Sequence, residues 1–257
     1  MLHNKEKPAI TKDNLDSFLK ELGKEYRKLA GKKMPAEIIL IGGAAVLAKY
    51  GFRELTYDID AVVFAASAMR EAILRVRDNH ELPHGWLNSD FKKTTSYSEK
   101  LYEVSVYYKT FSNVLTVRTI TAKYLLAMKL MSSRAYKYDL SDIVGILREH
   151  QMENNPISRK DVEEALITLY GKDVELSEAS TELLDIAFNH KDYDALYLTT
   201  RNSEIETKKR QLATTQKSGL IKEESVSYNI DTQNQEHHTV QKQSLLKTLE
   251  EKRTSKT

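Results

Sequence analysis

The chain has 257 residues, of which 30% are charged, a formal net charge of +2 and no cysteine. The lack of cysteine excludes disulfide frameworks, thiolate nucleophiles and cysteine-based zinc sites. No apolar run approaches the roughly 20 residues that span a bilayer, and the first residues, MLHNKEKPAITKDN, lack the apolar core of a signal peptide. We therefore expect a cytoplasmic globular protein of one or two domains without a membrane partner. The small net charge by itself predicts no nucleic-acid partner.

Hydrophobic periodicity predicts a helix at the start of the chain, followed by strands and short helices. Apolar residues recur at three- and four-residue spacing over residues 12–30, which indicates a helix that ends at Gly31. The continuous apolar run 36–41 is too short for an independent helix and predicts a buried strand. A short helix over 43–50 and a second strand over 57–64 follow.

The second half of the chain changes from mixed structure to helices. Ser67 is a candidate N-cap for a helix that reaches about residue 79. Alternating, β-branched and aromatic residues predict strands over 101–108 and 113–120, and helices are predicted over 121–132, 140–150, 158–171 and 180–189.

Composition predicts three regions. Residues 1–120 form a mixed α/β domain, residues 121–199 a helical subdomain, and residues 200–257 a polar tail in which Lys, Glu, Gln, Ser and Thr dominate. Such a tail has too little apolar surface to offset the entropy of an ordered chain, so we predict that it is disordered.

Two acidic residues at the start of the second strand are the strongest candidates for chemistry. Asp58 and Asp60 are one residue apart, so a strand directs both carboxylates to one face and Ile59 to the other. Neighbouring like charges are costly unless a cation lies between them, and Mg²⁺ (or Mn²⁺) is the natural candidate. The alternative is a polar strand end with two solvated carboxylates.

A pair of glycines precedes these acids. Gly42 and Gly43 join the first strand to the short helix, where backbone N–H groups and the helix N-terminus favour a phosphate. Alternatively, the two glycines only form a tight turn between strand and helix. The spacing to Asp58 and Asp60 favours a site for metal-assisted chemistry on a nucleotide.

Several motifs between about residues 37 and 171 resemble a bacterial family of nucleotidyltransferase-fold proteins, domain of unknown function 6036, which is related to AbiEii-type toxins. The motifs are GGAAVLAKYG, TYDIDAVV, LPHGWLN, YYKTFSNVLTVRTITAKYLLAMKLMSSRAYKYDLSDIVGIL and ALITLYG. The resemblance implies a nucleotidyltransferase-like mixed sheet with flanking helices. It also implies that Asp58 and Asp60 bind metal during transfer of a nucleoside monophosphate from a nucleoside triphosphate to an RNA or protein acceptor. A role in a toxin–antitoxin pair or in phage defence, with a cognate antitoxin as partner, is implied in the same way.

The chain departs from the superfamily pattern at the third carboxylate. A later strand of the same sheet usually supplies it, but the segment VLTVRTI contains no acid. Glu103, predicted on the preceding strand, is the nearest candidate for a third metal ligand, and the alternative is an exposed strand residue. Without a third acid, a one-metal site or a catalytically degenerate module that binds a nucleotide or a protein becomes the alternative function.

A second group of charged residues lies in the segment KLMSSRAYKYDLSD. It resembles the lysine and KDxxD-like motifs of AbiEii-type proteins, which implies that Lys129 and Arg134 bind nucleotide and that Lys137 and Asp142 are catalytic. The alternative is a surface lattice of ion pairs in which Asp139 caps the next helix.

Three further residues have simpler interpretations. Arg53 is interpreted as a charge at the end of the short helix. Arg118 either faces the site or pairs with Glu103. Trp86, the only tryptophan, either stacks on a base or anchors its loop.

Overall fold

The computed structural model describes residues 9–132 and 139–217. Its strands are Ile10–Thr11 (β1), Ala36–Leu40 (β2), Leu55–Thr56 (β3), Ile59–Phe64 (β4), Leu87–Asn88 (β5), Ser105–Phe111 (β6) and Leu115–Ile120 (β7). Its α-helices are Lys12–Ala30 (α1), Gly42–Lys49 (α2), Ala68–His80 (α3), Ala122–Ser132 (α4), Asp139–Met152 (α5), Arg159–Tyr170 (α6), Glu178–Asn189 (α7) and Tyr193–Lys217 (α8). The described residues divide into two compact units, 9–132 with 157–177 and 139–156 with 178–217.

A five-stranded mixed sheet forms the centre of the first unit, with the strand order β5-β4-β2-β7-β6. The strand β2 pairs antiparallel with β4 and parallel with β7. Ile38, Ile39 and Leu40 of β2 are fully buried, as a continuous apolar run predicts for a central strand that is covered on both faces. The predicted mixed α/β fold class is confirmed.

The helices α1 and α3 pack against each other. The apolar stripe of α1 is buried, as its three- and four-residue spacing predicts. Trp86 is only 1% exposed, and its Nε1 donates a hydrogen bond to the carbonyl of Ile73 at 3.1 Å. Its ring also meets Phe18 edge-on, with centroids 6.2 Å apart. Trp86 therefore anchors its loop, and the base-stacking interpretation is wrong.

The β6–β7 hairpin begins later than the sequence predicts. Residues 99–101 form a 3-10 turn, and β6 starts only at Ser105. The hydroxyl of Ser105 donates to the carbonyl of Tyr102 at 2.7 Å, which closes a turn in front of the strand. Glu103 lies in that turn and is exposed.

The helices α4 and α6 belong to the unit that contains the sheet, so this unit does not end at the predicted boundary after residue 120. They pack against each other. Side chains before the hairpin bind the end of α6: the hydroxyl of Ser98 donates to the carbonyl of Leu169 at 2.6 Å. The hydroxyl of Tyr170 donates to the carbonyl of Ser96 at 2.7 Å.

The second unit packs α7 and α8 against α5. The first nine residues of α5, Asp139–Leu147, are all buried, and Leu140 and Val144 form a small core with Leu196 of α8. Residues 200–217 were predicted as the start of a disordered tail, but they continue α8. Residues 218–257, the rest of the predicted tail, lie outside the described residues. None of the helices in the described ranges is long and apolar enough to cross a bilayer.

Glu204 of α8 is a carboxylate within this helical unit. The backbone N–H of Ser141 donates to its Oε1 at 3.2 Å, whereas its buried Oε2 has no hydrogen-bond partner in the described part of the chain. Burial raises the pKa of Glu204 from 4.5 to about 7, and the charges of Asp142 and Asp139 act in the same direction against the hydrogen bonds from Ser141.

Replacing Glu204 by glutamine is expected to change how stability depends on pH. Because the folded carboxyl binds its proton more tightly than the unfolded one, wild-type stability falls as pH rises from about 4.5 to about 7. This group then lowers stability by up to about 3 kcal/mol above pH 7. Glu204→Gln should recover that free energy at pH 8 and little of it at pH 4.5. Urea unfolding followed by circular dichroism checks this, with exposed Glu206→Gln as control. An equal effect of Glu204→Gln at both pH values would contradict it.

Candidate functional site

Two glycines connect β2 to α2 for different physical reasons. Gly42 has φ +54°, in the left-handed region that other residues adopt only with strain. Gly43 does not have a positive φ. A Cβ built on Gly43 would lie 2.7 Å from Nη2 of Arg53 and 3.0 Å from Oγ1 of Thr56. Glycine is therefore required at 42 by the backbone and at 43 by close neighbours.

Asp60, the second acid of the pair, lies directly beside this turn. The N–H of Ile41 donates to the carbonyl of Asp60 at 3.0 Å, which joins the end of β2 to the start of β4. A Cβ built on Gly42 would lie 3.4 Å from Oδ2 of Asp60. The structure therefore brings the Asp60 carboxylate into contact distance of the glycine turn.

Asp58 precedes β4 and is partly exposed, as is Asp60. Ile59 between them is fully buried, as predicted. The carbonyl of Asp58 accepts a hydrogen bond from the hydroxyl of Thr56 at 3.2 Å, and the N–H of Ile59 donates to the carbonyl of Trp86 at 2.7 Å. Both bonds hold the peptide group between Asp58 and Ile59, which lies between the two acids.

The chemistry of these groups suits a metal–phosphate ligand. Carboxylate oxygens are hard ligands, and Mg²⁺ in proteins commonly takes one or two of them together with substrate phosphates. The N-terminus of α2 offers backbone N–H groups and a partial positive charge to an anion. Asp58 and Asp60 therefore fit Mg²⁺, and the turn fits a phosphate.

A third acid does not join the pair within residues 9–132 and 139–217, where no three acidic or histidine side chains are grouped as metal ligands. The register explains why β7 supplies none. Leu40 pairs with Ala61 on one side and with Thr119 on the other. One position further along, Asp60 therefore lies in the same row across the sheet as Ile41 and Ile120. Both isoleucines are fully buried.

The prediction that Glu103 lies on a strand of this sheet is wrong. The chain turns back at residues 102–104 before β6 begins, so Glu103 stays exposed outside the sheet. It is not grouped with Asp58 and Asp60 as a third ligand in the part of the chain that the structure describes.

Arg118 is held by hydrogen bonds to Ser105 and by an acidic partner. Its Nε donates to Oγ of Ser105 and its Nη2 to the carbonyl of Ser105, both at 2.7 Å. Its Nη1 lies 3.5 Å from a carboxylate oxygen of Glu37, and its guanidinium lies over the ring of Tyr102, 4.9 Å from the centroid. The acidic partner of Arg118 is therefore Glu37, and the predicted pairing with Glu103 is wrong.

The second predicted group of charges is distributed over both units. Lys129 is 8% exposed on α4, which packs against α2 in the first unit. Asp139 and Asp142 are 9% and 3% exposed in the first turn of α5, in the second unit. These two acids are therefore buried, whereas the lattice interpretation placed them on the surface. Arg134 and Lys137 lie outside the described residues.

Arg53 is the residue whose position the sequence interpretation missed. It follows α2 in the chain and was assigned to the end of that helix, but its guanidinium lies against Gly43 at the beginning. Its Nε donates to the carbonyl of Leu55 at 3.2 Å, so β3 carries the side chain back to the turn. Gly43 was the available signal, because a second glycine that the turn does not require indicates a close neighbour.

Comparisons with known proteins show the family to which the chain belongs. No curated protein matches the chain. A crystal structure of an antigenic nucleotidyltransferase-like protein from Paracoccidioides brasiliensis is similar, with 13% sequence identity and a TM-score of 0.35 over 71% of this chain and 100% of that chain. The model of the family described as "Nucleotidyltransferase of unknown function (DUF6036)" matches residues 17–156. Since this match spans more than half of the chain, the protein belongs to that nucleotidyltransferase family.

Proposed function

We propose that the protein is a Mg²⁺-dependent nucleotidyltransferase, with Mn²⁺ as a substitute ion. It transfers a nucleoside monophosphate from a nucleoside triphosphate to a hydroxyl or phosphate acceptor. The observation that carries the proposal is the contact between a carboxylate and a glycine turn. Oδ2 of Asp60 lies 3.4 Å from the Cβ position of Gly42, where α2 begins. A carboxylate and the N-terminus of a helix thus lie side by side, in a chain of a nucleotidyltransferase family.

Each group has a role in the proposed transfer. Asp58 and Asp60 would hold the ion, which when bound neutralises phosphate charge and polarises phosphoryl oxygens. Backbone N–H groups at Gly42 and Gly43 would orient the phosphates. Because phosphoryl transfer depends mainly on positioning and charge stabilisation, these residues need no covalent role. Lys129 would add positive charge from α4, and Arg134, Lys137 and Asp142 remain proposals from the family resemblance.

The acceptor is proposed to be RNA or protein, and a cognate antitoxin is the proposed partner. Incubation of the protein with each α-labelled nucleoside triphosphate, Mg²⁺, and total cellular RNA or protein tests the transfer. We expect label in one acceptor pool and stoichiometric pyrophosphate, both abolished by EDTA. If no triphosphate yields pyrophosphate with either pool, the transferase proposal fails.

A second candidate function is a degenerate module that binds a nucleotide and transfers nothing. Ile41 and Ile120 in the row of Asp60 favour it, because these neighbours of Asp60 in the sheet are apolar and cannot serve as a further metal ligand. This candidate predicts that nucleoside triphosphates raise the melting temperature in Mg²⁺ without pyrophosphate release. Release of pyrophosphate would exclude it.

A further inference from the structure

The carboxyl group of Glu204 joins two helices of the second unit, because it lies on α8 and accepts a hydrogen bond from the beginning of α5. Ser141 is the third residue of α5, and the first four backbone N–H groups of a helix find no acceptor within that helix. The N–H of Ser141 donates to Oε1 of Glu204 at 3.2 Å. A side chain of α8 thus supplies an acceptor that the first turn of α5 lacks.

The other oxygen of this carboxyl group lies where a negative charge is poorly solvated. Oε2 of Glu204 is shielded from solvent and, within the described ranges, has no hydrogen-bond partner. The same is true of Oγ1 of Thr200, which lies four residues earlier and therefore on the same face of α8. Two acids, Asp139 and Asp142, lie in the first turn of α5, which the carboxyl group contacts. Ionised Glu204 therefore adds a third negative charge to a place with little solvent.

The groups around Glu204 act on its pKa in both directions. Burial has the largest effect and raises the pKa, hydrogen bonds from the side chain and backbone of Ser141 lower it, and the charges of the two acids raise it, so that the pKa reaches about 7. On α8 itself, Arg201 lies three residues earlier, and its charge acts on Tyr197. The proton of Glu204 is therefore bound or released close to neutral pH while α8 is docked.

The beginning of α8 is held by contacts that do not involve this carboxyl group. Leu196 packs with Leu140 and Val144 of α5, and apolar side chains of α7 pack against the same core. Arg148 of α5 forms an ion pair with Asp194. After the carboxyl group, by contrast, the side chains that the structure describes on α8 are exposed or partly exposed. A change at the carboxyl group therefore acts on the end of α8 and leaves its beginning in place.

We propose that Glu204 makes the docking of the end of α8 depend on pH. With the proton bound, the part of α8 that begins at Thr200 stays on the first turn of α5. With the proton released, the carboxylate gains solvation by leaving α5, so this part separates while the core around Leu196 persists. The separation removes the acceptor of the Ser141 N–H and uncovers the turn that carries Asp142. This inference goes beyond the proposed transfer and does not depend on it.

Hydrogen–deuterium exchange at pH 5 and pH 8 tests the inference on the full chain. Each rate is divided by the rate of the same peptide when unfolded, which removes the intrinsic effect of pH. A pKa that rises from 4.5 to about 7 on docking predicts that residues 200–217 open about 10- to 100-fold more often at pH 8. Glu204→Gln should lose this difference and stay protected at both pH values. The matched control is Glu206→Gln, an exposed residue of the same helix, which should exchange as wild type does.

Two further variants should move the pH at which residues 200–217 open, and in opposite directions. Ser141→Ala removes a hydrogen bond that lowers the pKa of Glu204, so opening should need a higher pH. Asp142→Asn removes a charge that raises this pKa, so opening should begin at a lower pH. A merely structural role of Glu204 would give no such pair of opposite shifts, and circular dichroism verifies that each variant is folded.

Three results would overturn the proposal. One is an equal opening of residues 200–217 at both pH values in wild type. Another is a pH dependence that survives in Glu204→Gln, since a different group would then be responsible. The third is an equal loss of protection over residues 178–196, because the whole unit would then unfold without a separate movement of the end of α8.

Discussion

Replacing Asp60 by asparagine is expected to reduce pyrophosphate release by about 10²- to 10³-fold, the range found when one charge-stabilising group is removed from an active site. Asparagine keeps the shape of the side chain beside Gly42 but removes the negative charge that would hold the proposed divalent ion. The backbone pairing of Asp60 with Ile41 uses the carbonyl, so the fold should persist. Pyrophosphate release at saturating Mg²⁺ and triphosphate is the measurement.

The control is an exposed acid on another helix. Asp78 on α3 is exposed and pairs with the neighbouring Arg77, so Asp78→Asn should leave the rate unchanged. Mn²⁺ binding, measured by electron paramagnetic resonance, should weaken in Asp60→Asn and not in Asp78→Asn. Wild-type rates and Mn²⁺ affinity in Asp60→Asn would exclude Asp60 as a metal ligand.

Replacing Trp86 by alanine is expected to lower the free energy of unfolding by about 3–5 kcal/mol, the usual cost of removing a buried large aromatic side chain. The indole is 1% exposed and loses its hydrogen bond to Ile73 when truncated. The carbonyl of Trp86 also accepts a hydrogen bond from the N–H of Ile59. The loop is therefore bonded to the residue between the two acids. Urea unfolding followed by far-ultraviolet circular dichroism measures the change.

Trp86→Phe separates packing from hydrogen bonding. It keeps an aromatic ring in contact range of Phe18 and removes the N–H donor, so we expect a smaller loss of about 1–3 kcal/mol. A Trp86→Ala variant with wild-type stability and weakened triphosphate binding would instead support the base-stacking interpretation that the burial contradicts.

Local patterns predicted the part of the fold that surrounds the glycine turn. The apolar run before Gly42, the short helix after it and the strand predicted over 57–64 follow one another in the chain. Consecutive elements usually pack as neighbours. The proximity of Asp60 to Gly42 therefore follows from a stretch of fewer than thirty residues whose hydrophobic pattern is unambiguous.

The helix α8 shows where such patterns fail. Its buried face repeats every four residues through Leu196, Thr200 and Glu204, of which Leu196 and Thr200 are 0% and 2% exposed. Tyr193 and Tyr197 also pack against the core around Leu196, but Thr200 and Glu204 are polar, so hydrophobic periodicity ends near residue 200. The helix continues because α5 offers a partner surface, and nothing in residues 200–217 alone contains that information.

The predictions for Glu103 and Arg53 fail for the opposite reason, because their local patterns indicated the wrong position in the fold. The alternation of YEVSVYY predicts a strand, but local hydrogen bonds hold residues 98–104 in turns: the N–H of Lys100 donates to the hydroxyl of Ser98, and the hydroxyl of Ser105 donates to the carbonyl of Tyr102. The position of Arg53 after α2 predicts a helix-end charge, but pairing of β3 with β1 returns it to the other end of that helix.

By itself the sequence determined the family, the mixed α/β class, the core strand β2 and the proximity of Asp60 to a glycine turn. These features depend on residue type and on spacing along a short stretch of chain, which hydrophobic burial and strand geometry convert into structure. The tertiary structure alone decided that Ile41 and Ile120 occupy the row of Asp60, that Glu103 stays outside the sheet, and that Arg53 meets Gly43. Each of these depends on strand register or on a returning segment, and such long-range pairing is set by the packing of the whole unit.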